Sequence, residues 1–342
     1  MNKLVLFAKD VRQVTVTNSS GAVLSGKWKS SNTQVATVNS SGYVTAVAVG
    51  TAKISVTVSS STVSLYATVT GPPSSPADVF AHFPACYSNS TNTSLLCSDI
   101  STAFTAQEGY HLAQLHAYYS KFFSQPLSGG KSVEYYTLDP SLYSRLFAYC
   151  GGVVVAGGRS VSSCWDSTTR IYSEFILPYQ IPDFGTQQHE LSHLFLQMTY
   201  RSSVAPYEPS EVNVWFKEGT GMYFESGNID SNGNLVVTTP MYYLTSEFRA
   251  HYNAGTLIPL ATLVGYNASQ FYGSDATQVY SEAGMFICYL TFKQPATMSA
   301  VWAGINNGSI ANNTELLNVI TTTSGMSLAQ LDSAYTAYGL TF

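Results

Sequence analysis

The hydrophobic pattern of the chain changes partway along. Residues 1 to about 71 alternate apolar and polar side chains with the period of two that turns one face of a strand toward a core. The runs are Val14-Thr-Val16, Val35-Ala-Thr-Val38, Tyr43-Val-Thr-Ala-Val47, Ile54-Ser-Val-Thr-Val58 and Leu65-Tyr-Ala-Thr-Val69. Asn, Ser and Gly break them every ~8–12 residues, the rhythm of a small β-sandwich. Pro72-Pro-Ser-Ser-Pro76 then reads as a stiff extended spacer, so residues 72–78 are expected to separate a first domain, 1–71, from a second, 79–342. Past the spacer, Leu112, Leu115, Tyr119 and Phe122 recur at helical spacing within 106–123. Strand-like runs follow at 133–138, 152–156 and 170–177. From Thr186 the pattern is mainly helical, with helices expected at 186–200, 211–226, 276–293, 315–322 and 327–337. The stretches 200–210 and 227–275 read as pocket-forming loops, the second with a turn cluster, Asn228 to Asn234, suited to a hairpin. Strands followed by helices describe an α+β domain.

Composition narrows the function classes. Apolar residues make up 45% of the 342, which fits a globular chain able to bury two cores. Charged residues are only 10%, so Ser, Thr, Asn and Tyr cover the surface, a composition common in secreted bacterial proteins. The net charge of −5 provides no basic stripe, which argues against a nucleic-acid partner. No apolar stretch reaches the roughly 18 residues that span a bilayer. The opening MNKLVLFAKDVRQ has no small-residue cleavage site and reads as a strand, so an export signal is expected to have been removed ahead of it. Of five cysteines, Cys86 with Cys97 and Cys150 with Cys164 are spaced for local disulfides in an oxidising compartment, leaving Cys288 alone. There is no C-x-x-C pair, so zinc held by cysteine is not expected.

The wording of the first segment is specific. Trp28-Lys-Ser-Ser-Asn32, Val35-Ala-Thr-Val-Asn39, Gly42-Tyr-Val-Thr-Ala46 and Gly50-Thr-Ala-Lys-Ile54 together resemble the bacterial Ig-like domain of group 2, with its first strand shortened or missing. That resemblance implies a spacer or adhesive module that docks an exported protein on a cell surface or polysaccharide.

The chemistry lies in Thr186-Gln-Gln-His-Glu-Leu-Ser-His-Leu-Phe-Leu-Gln197. His189 and His193 are four apart, so on a helix their imidazoles share a face and can converge on one metal ion. Glu190, one position round, can reach a water at that ion. Leu191, Leu194, Phe195 and Leu196 mark the helix as buried, and buried histidines need partners. A catalytic zinc needs a third protein ligand and keeps a fourth position open. Glu211, Glu218 and Glu225 are the candidates. His82, His111, His116 and His251 have no carboxylate or histidine at ligand spacing and read as structural or surface residues.

Trp215-Phe-Lys-Glu-Gly-Thr-Gly-Met-Tyr-Phe-Glu225 resembles the second-helix signature of the gluzincin metallopeptidases, W-x-x-E-G followed by Y-x-E. Carried onto this chain, the resemblance implies a zincin-like fold with a mainly helical C-terminal half, Zn2+ as cofactor and Glu218 as third ligand. It leaves Glu225 as a supporting or surface acid. Val279 to Leu290 looks like the gluzincin helix that presents a tyrosine hydroxyl to the substrate carbonyl, which implies Tyr280 as oxyanion donor. The whole then reads as a secreted zinc peptidase, with Glu190 as general base and a protein or peptide as substrate. No Gly-x-Met-Glu-Asn motif of the aminopeptidase branch occurs, which favours an endopeptidase. The alternatives are an adhesion protein with a vestigial zinc domain, or a zinc hydrolase of a non-peptide amide or ester.

Overall fold

The computed structural model describes residues 3–83, 85–88, 94–123, 131–137, 160–166, 171–177, 184–201 and 213–342. The chain divides into two compact units, residues 1–110 with 129–182, and residues 111–128 with 183–342.

The alternating runs at the start of the first unit become a β-sandwich. Its strands are β1 (Lys3–Phe7), β2 (Val11–Gln13), β3 (Val16–Thr17), β4 (Val23–Leu24), β5 (Lys27–Ser30), β6 (Ala36–Val38), β7 (Tyr43–Ala46), β8 (Gly50–Val58) and β9 (Ser61–Thr70). One sheet runs β1-β9-β8-β5 and the other β2-β7-β6, with β3 and β4 as a separate hairpin. Leu6, Ile54, Ala67 and Val69 from the first sheet meet Ala36, Val44 and Ala46 from the second in one core. Strand β8 shows the cause directly: Ala52, Ile54 and Val56 are buried while Thr51 and Lys53 are exposed. Each large aliphatic side chain so buried contributes about 1.5–3 kcal/mol. At the tight turn before β7, Asn39 Oδ1 accepts from the amides of Ser41 and Tyr43, and Gly42 has φ +80°. A side chain at Gly42 would also collide with the Val14 carbonyl.

A first strand is present: the opening residues form β1, as their reading as a strand expected, so the strand that the Ig-like resemblance left shortened or missing is not missing. Lys3 to Phe7 pairs parallel with Tyr66 to Thr70 along the whole of β1. Its apolar run, Leu4-Val5-Leu6-Phe7, is continuous rather than alternating.

The proline-rich spacer gives way early to a helix, α1 (Pro76–His82). Ser75 caps it, accepting from Asp78 N at 3.2 Å, and Pro76 occupies the first turn where no amide donor is needed. A buried polar group links this segment to the sandwich edge. Arg12 pairs with Asp99 at 3.3 Å, and His82 Nε2 lies 3.3 Å from both Asp10 Oδ2 and an Arg12 nitrogen. Asp10 Oδ2 also accepts the Phe7 amide, and the His82 ring stacks on Phe7 at 4.5 Å.

The rest of the first unit is a five-stranded mixed sheet of β10 (Ala85–Ser88), β11 (Ser94–Ser98), β12 (Lys131–Tyr136), β13 (Ser160–Asp166) and β14 (Ile171–Leu177), in the order β10-β11-β12-β14-β13. The three inner strands run parallel and the two outer pairings are antiparallel. Cys86 and Cys97 are register partners across β10 and β11 and form the expected disulfide. The expected strand at 152–156 and the Cys150–Cys164 pairing lie outside the described residues. Cys288 is free and buried.

Helix α2 (Thr102–Phe122) buries Leu112, Leu115 and Tyr119, as its periodicity requires. The second unit continues with α3 (Phe184–Arg201), α4 (Val214–Glu225), α5 (Tyr242–Ala254), α6 (Leu260–Leu263), α7 (Ala268–Gly273), α8 (Ala276–Lys293), α9 (Pro295–Asn306), α10 (Asn313–Ser324) and α11 (Leu328–Gly339). The hairpin at 228–236 forms, with Asp230 Oδ1 accepting from the amides of Asn232 and Asn234. Helices α5 to α7 occupy much of the stretch read above as loop. In α5 the buried positions are Leu244 and Phe248, four apart on one helical face. Among the described residues no helix is long and apolar enough to cross a membrane.

Two glycines let α4 and α8 approach closely. A Cβ on Gly219 would stand 2.7 Å from the Ala283 carbonyl oxygen, and one on Gly284 would stand 2.8 Å from Met222 Cβ. Trp215, Phe216 and Phe224 of α4 are buried, Trp215 against Phe286, Phe216 against Trp302 and Phe224 against Tyr119, and the Trp215 indole donates to Asn313 Oδ1 at 3.0 Å. The backbone of α4 is therefore held on several sides, which fixes what projects from it.

Candidate metal centre

Helices α3 and α4 pack on each other and present the residues that the sequence singled out. His189 and His193 lie on one face of α3, their ring centroids 4.6 Å apart and the rings nearly perpendicular. Both are buried. From α4, Glu218 Oε2 stands 3.1 Å from His189 Nε2 and 3.2 Å from His193 Nε2. The ligand atoms of His189, Glu190 and His193 all lie within 4.8 Å of one another.

These spacings fit a metal ion. Donors about 2.0–2.1 Å from a tetrahedral ion stand about 3.3 Å apart, close to the two separations from Glu218 Oε2. Two imidazole nitrogens and one carboxylate oxygen are also a donor set that a borderline-soft divalent cation accepts. Glu225, at the end of α4, meets the other nitrogen of the first histidine, His189 Nδ1, at 3.2 Å. Its carboxylate thus meets the ring at the nitrogen opposite the one that faces Glu218. Glu211 lies outside the described residues, as does most of the inserted loop at 200–210.

Local packing explains why α4 needs glycine here. A Cβ on Gly221 would stand 2.6 Å from His189 Nε2, so Gly221 leaves the space that the imidazole occupies. A Cβ on Gly185 would press on Glu225 Cγ at 3.0 Å.

The electrostatics separate the groups. Burial disfavours charge on Glu218, but the Lys217 ammonium, His193 and the hydrogen bonds from both histidines outweigh it and hold its carboxyl well below the usual range. Burial raises the Glu190 carboxyl, with His189 working against that rise. His193 is pushed down to about 3, chiefly by burial, so it is neutral, the form in which an imidazole binds metal. Burial also works against charge on His189, yet its bonds to Glu218 and Glu225 lift it to about 10. A proton on His189 Nε2 and a metal ion would compete for the same lone pair, so any binding of metal there would release a proton.

Tyr280, on α8, tilts its ring toward His189 at a centroid distance of 6.3 Å. Burial, the charges around it, Glu218 foremost, and a hydrogen bond to Glu218 push its phenol far up, so it is a neutral hydrogen-bond donor. Two neighbours were not legible in the sequence. The Tyr272 hydroxyl, from α7, donates to Glu218 Oε1 at 2.5 Å, and the Lys217 ammonium lies 2.9 Å from the same oxygen. Tyr272 is 54 residues from Glu218 in one of the stretches read as loop, and no periodic signal marks it among 24 tyrosines.

The remaining histidines stand in other surroundings. His82 joins Asp10 and Arg12, and His111 Nδ1 lies 2.8 Å from Gln187 Oε1. His116 packs edge-on against Phe195, and His251 lies 3.2 Å from the Thr256 hydroxyl.

Residues 4–69 match the family described as bacterial Ig-like domain (group 2), in agreement with the sandwich strands. No curated protein matches the chain.

Proposed function

We propose that this protein is an exported zinc-dependent peptidase, with endopeptidase activity on protein or peptide substrates. The observation that carries the reading is the convergence of His189 Nε2 and His193 Nε2 on one oxygen of Glu218, with the Glu190 carboxylate alongside. A zinc ion held by His189, His193 and Glu218 supplies a Lewis acid that polarises a carbonyl and acidifies water.

The other steps belong to the chain's own side chains. Glu190 takes the proton of the attacking water on its carboxylate and returns it to the leaving amine, a task suited to a carboxyl that burial has raised. Tyr280 offers its hydroxyl to the oxyanion that develops on the substrate carbonyl. Glu225 fixes the orientation of His189 through Nδ1. The gluzincin resemblance of Trp215 to Glu225 supports these roles, and the missing Gly-x-Met-Glu-Asn motif supports internal cleavage over removal of terminal residues.

The Cys86–Cys97 disulfide supports an oxidising compartment. The Ig-like domain supports a secreted or cell-surface setting, with docking to a surface or polysaccharide. That same domain is what favours the second reading, an adhesion protein whose zinc domain no longer acts.

Casein digestion with and without a zinc chelator separates the two readings. We expect hydrolysis that chelator abolishes and zinc restores. Glu190→Gln should bind about one zinc yet lose at least about 100-fold in rate, the lower range of general acid–base contributions. Full activity in Glu190→Gln overturns the proton role. A wild-type protein that cleaves neither casein nor a peptide library overturns the peptidase reading and leaves the adhesion protein or a hydrolase of a non-peptide amide or ester.

A further inference from the structure

We propose that Tyr272 is a positioning residue of the metal centre: with Lys217 it occupies the outer oxygen of Glu218, leaving the inner oxygen to the ion. The inference rests on the zinc reading above and concerns how the third ligand is presented.

The two oxygens of Glu218 have different company. Oε2 faces the Nε2 atoms of His189 and His193. Oε1 faces the Tyr272 hydroxyl at 2.5 Å and the Lys217 ammonium at 2.9 Å. A carboxylate beside a metal can bind through one oxygen or both. Hydrogen bonds to an ionised acceptor are short and strong, so two donors on Oε1, one of them cationic, commit Glu218 to one-oxygen ligation. They also fix the carboxylate plane, which otherwise swings about the last side-chain torsion.

The reach of Tyr272 is built into the fold. Helix α7 is closed by a reciprocal capping box between Asn267 and Gln270. Its buried Phe271 anchors it edge-on to Tyr280 of α8, with centroids 5.4 Å apart. Tyr272 itself is 51% exposed, so its ring adds little to the core while its hydroxyl lies on a buried carboxylate. A side chain kept for packing alone would not combine those two features.

The test uses the full chain, stripped of metal and then titrated with zinc against a chromophoric competitor. Co2+ loading provides an absorption spectrum sensitive to the number and kind of donor atoms. The wild type should bind one zinc. Tyr272→Phe should bind zinc about 10–100-fold more weakly at the same stoichiometry, the range seen when groups that orient metal ligands are lost. Its Co2+ bands should shift while its melting temperature stays near wild type, a combination that a merely structural role would not produce. Lys217→Met should weaken zinc in the same direction, and Lys217→Arg, which keeps the charge, should recover part of the loss. Zinc affinity within threefold of wild type together with an unaltered Co2+ spectrum in Tyr272→Phe overturns the inference alone. A wild-type protein that binds no zinc overturns both this inference and the zinc reading.

Discussion

Glu225 Oε2 lies 3.2 Å from His189 Nδ1, while Glu218 Oε2 lies 3.1 Å from Nε2 of the same ring. One imidazole is thus gripped at both nitrogens by two acids of one helix, seven positions apart. Two turns of α4 span that interval, so both carboxylates project from the face packed on α3. On the zinc reading, Glu225 takes the ring's donor nitrogen and the other is the one that would meet the ion. Glu225→Gln is therefore expected to lower zinc affinity by about 10-fold or more without removing a ligand. Competition titration against a chelator measures it, and wild-type affinity in the variant would show that the Nδ1 contact is idle.

The glycines of α4 should fail in different ways. At Gly219 the obstacle is the backbone oxygen of Ala283 at 2.7 Å, so α4 and α8 must move apart. Gly219→Ala should cost about 1–3 kcal/mol, as overpacking does. At Gly221 the obstacle is the His189 ring at 2.6 Å. Alanine there gains about 1 kcal/mol of helix propensity but turns a ligand, so stability should change less than zinc affinity. Urea unfolding and zinc titration on both variants would decide. Equal effects on both properties would refute the distinction.

Glu282 should make stability depend on pH. Burial raises its carboxyl to about 7, against the hydrogen bonds from Gln278 and the Ile258 amide, with Asp332 adding to the rise. Between the ordinary value of 4.5 and about 7 the folded chain holds a proton that the unfolded chain has released. Stability therefore falls as pH rises through that window, by up to about 3 kcal/mol at about 1.4 kcal/mol per unit. Glu282→Gln should flatten the profile over that range. Thermal melts of both proteins from pH 4.5 to 8 test this, and parallel curves would count against it.

Arg12 bridges the sandwich edge to Asp99, which also accepts from the Thr137 hydroxyl at 3.0 Å. Both charges are largely buried, so removing one leaves the other poorly compensated. Arg12→Ala should destabilise the first unit by about 2 kcal/mol. Denaturant unfolding would read the loss, and a midpoint unchanged from wild type would place the pair among ion pairs of no net worth.

Some of this was legible in order along the chain. His189, Glu190 and His193 follow from a four-residue interval, because helical pitch alone brings two imidazoles to one face. Glu225 could be ranked below Glu218 as a ligand, but its partner could not be named. The strand register of β8 follows from alternation, whereas the parallel pairing of β1 with the distant β9 does not. Helix α5 lies in a stretch read as loop although its buried Leu244 and Phe248 stand four apart, the spacing of one helical face.

By itself, then, the sequence determined local periodic features, the alternating strands such as β8 and the His-Glu-His face of α3, and made a Cys86–Cys97 bond across eleven residues plausible. Tertiary structure decided which acid meets which ring nitrogen, that Tyr272 and Lys217 share Glu218 Oε1, and that Gly221 makes room for His189. The reason is range. Helical and strand periods act over a few residues, but the Tyr272–Glu218 bond joins positions 54 apart, and only packing of α4, α7 and α8 sets that distance.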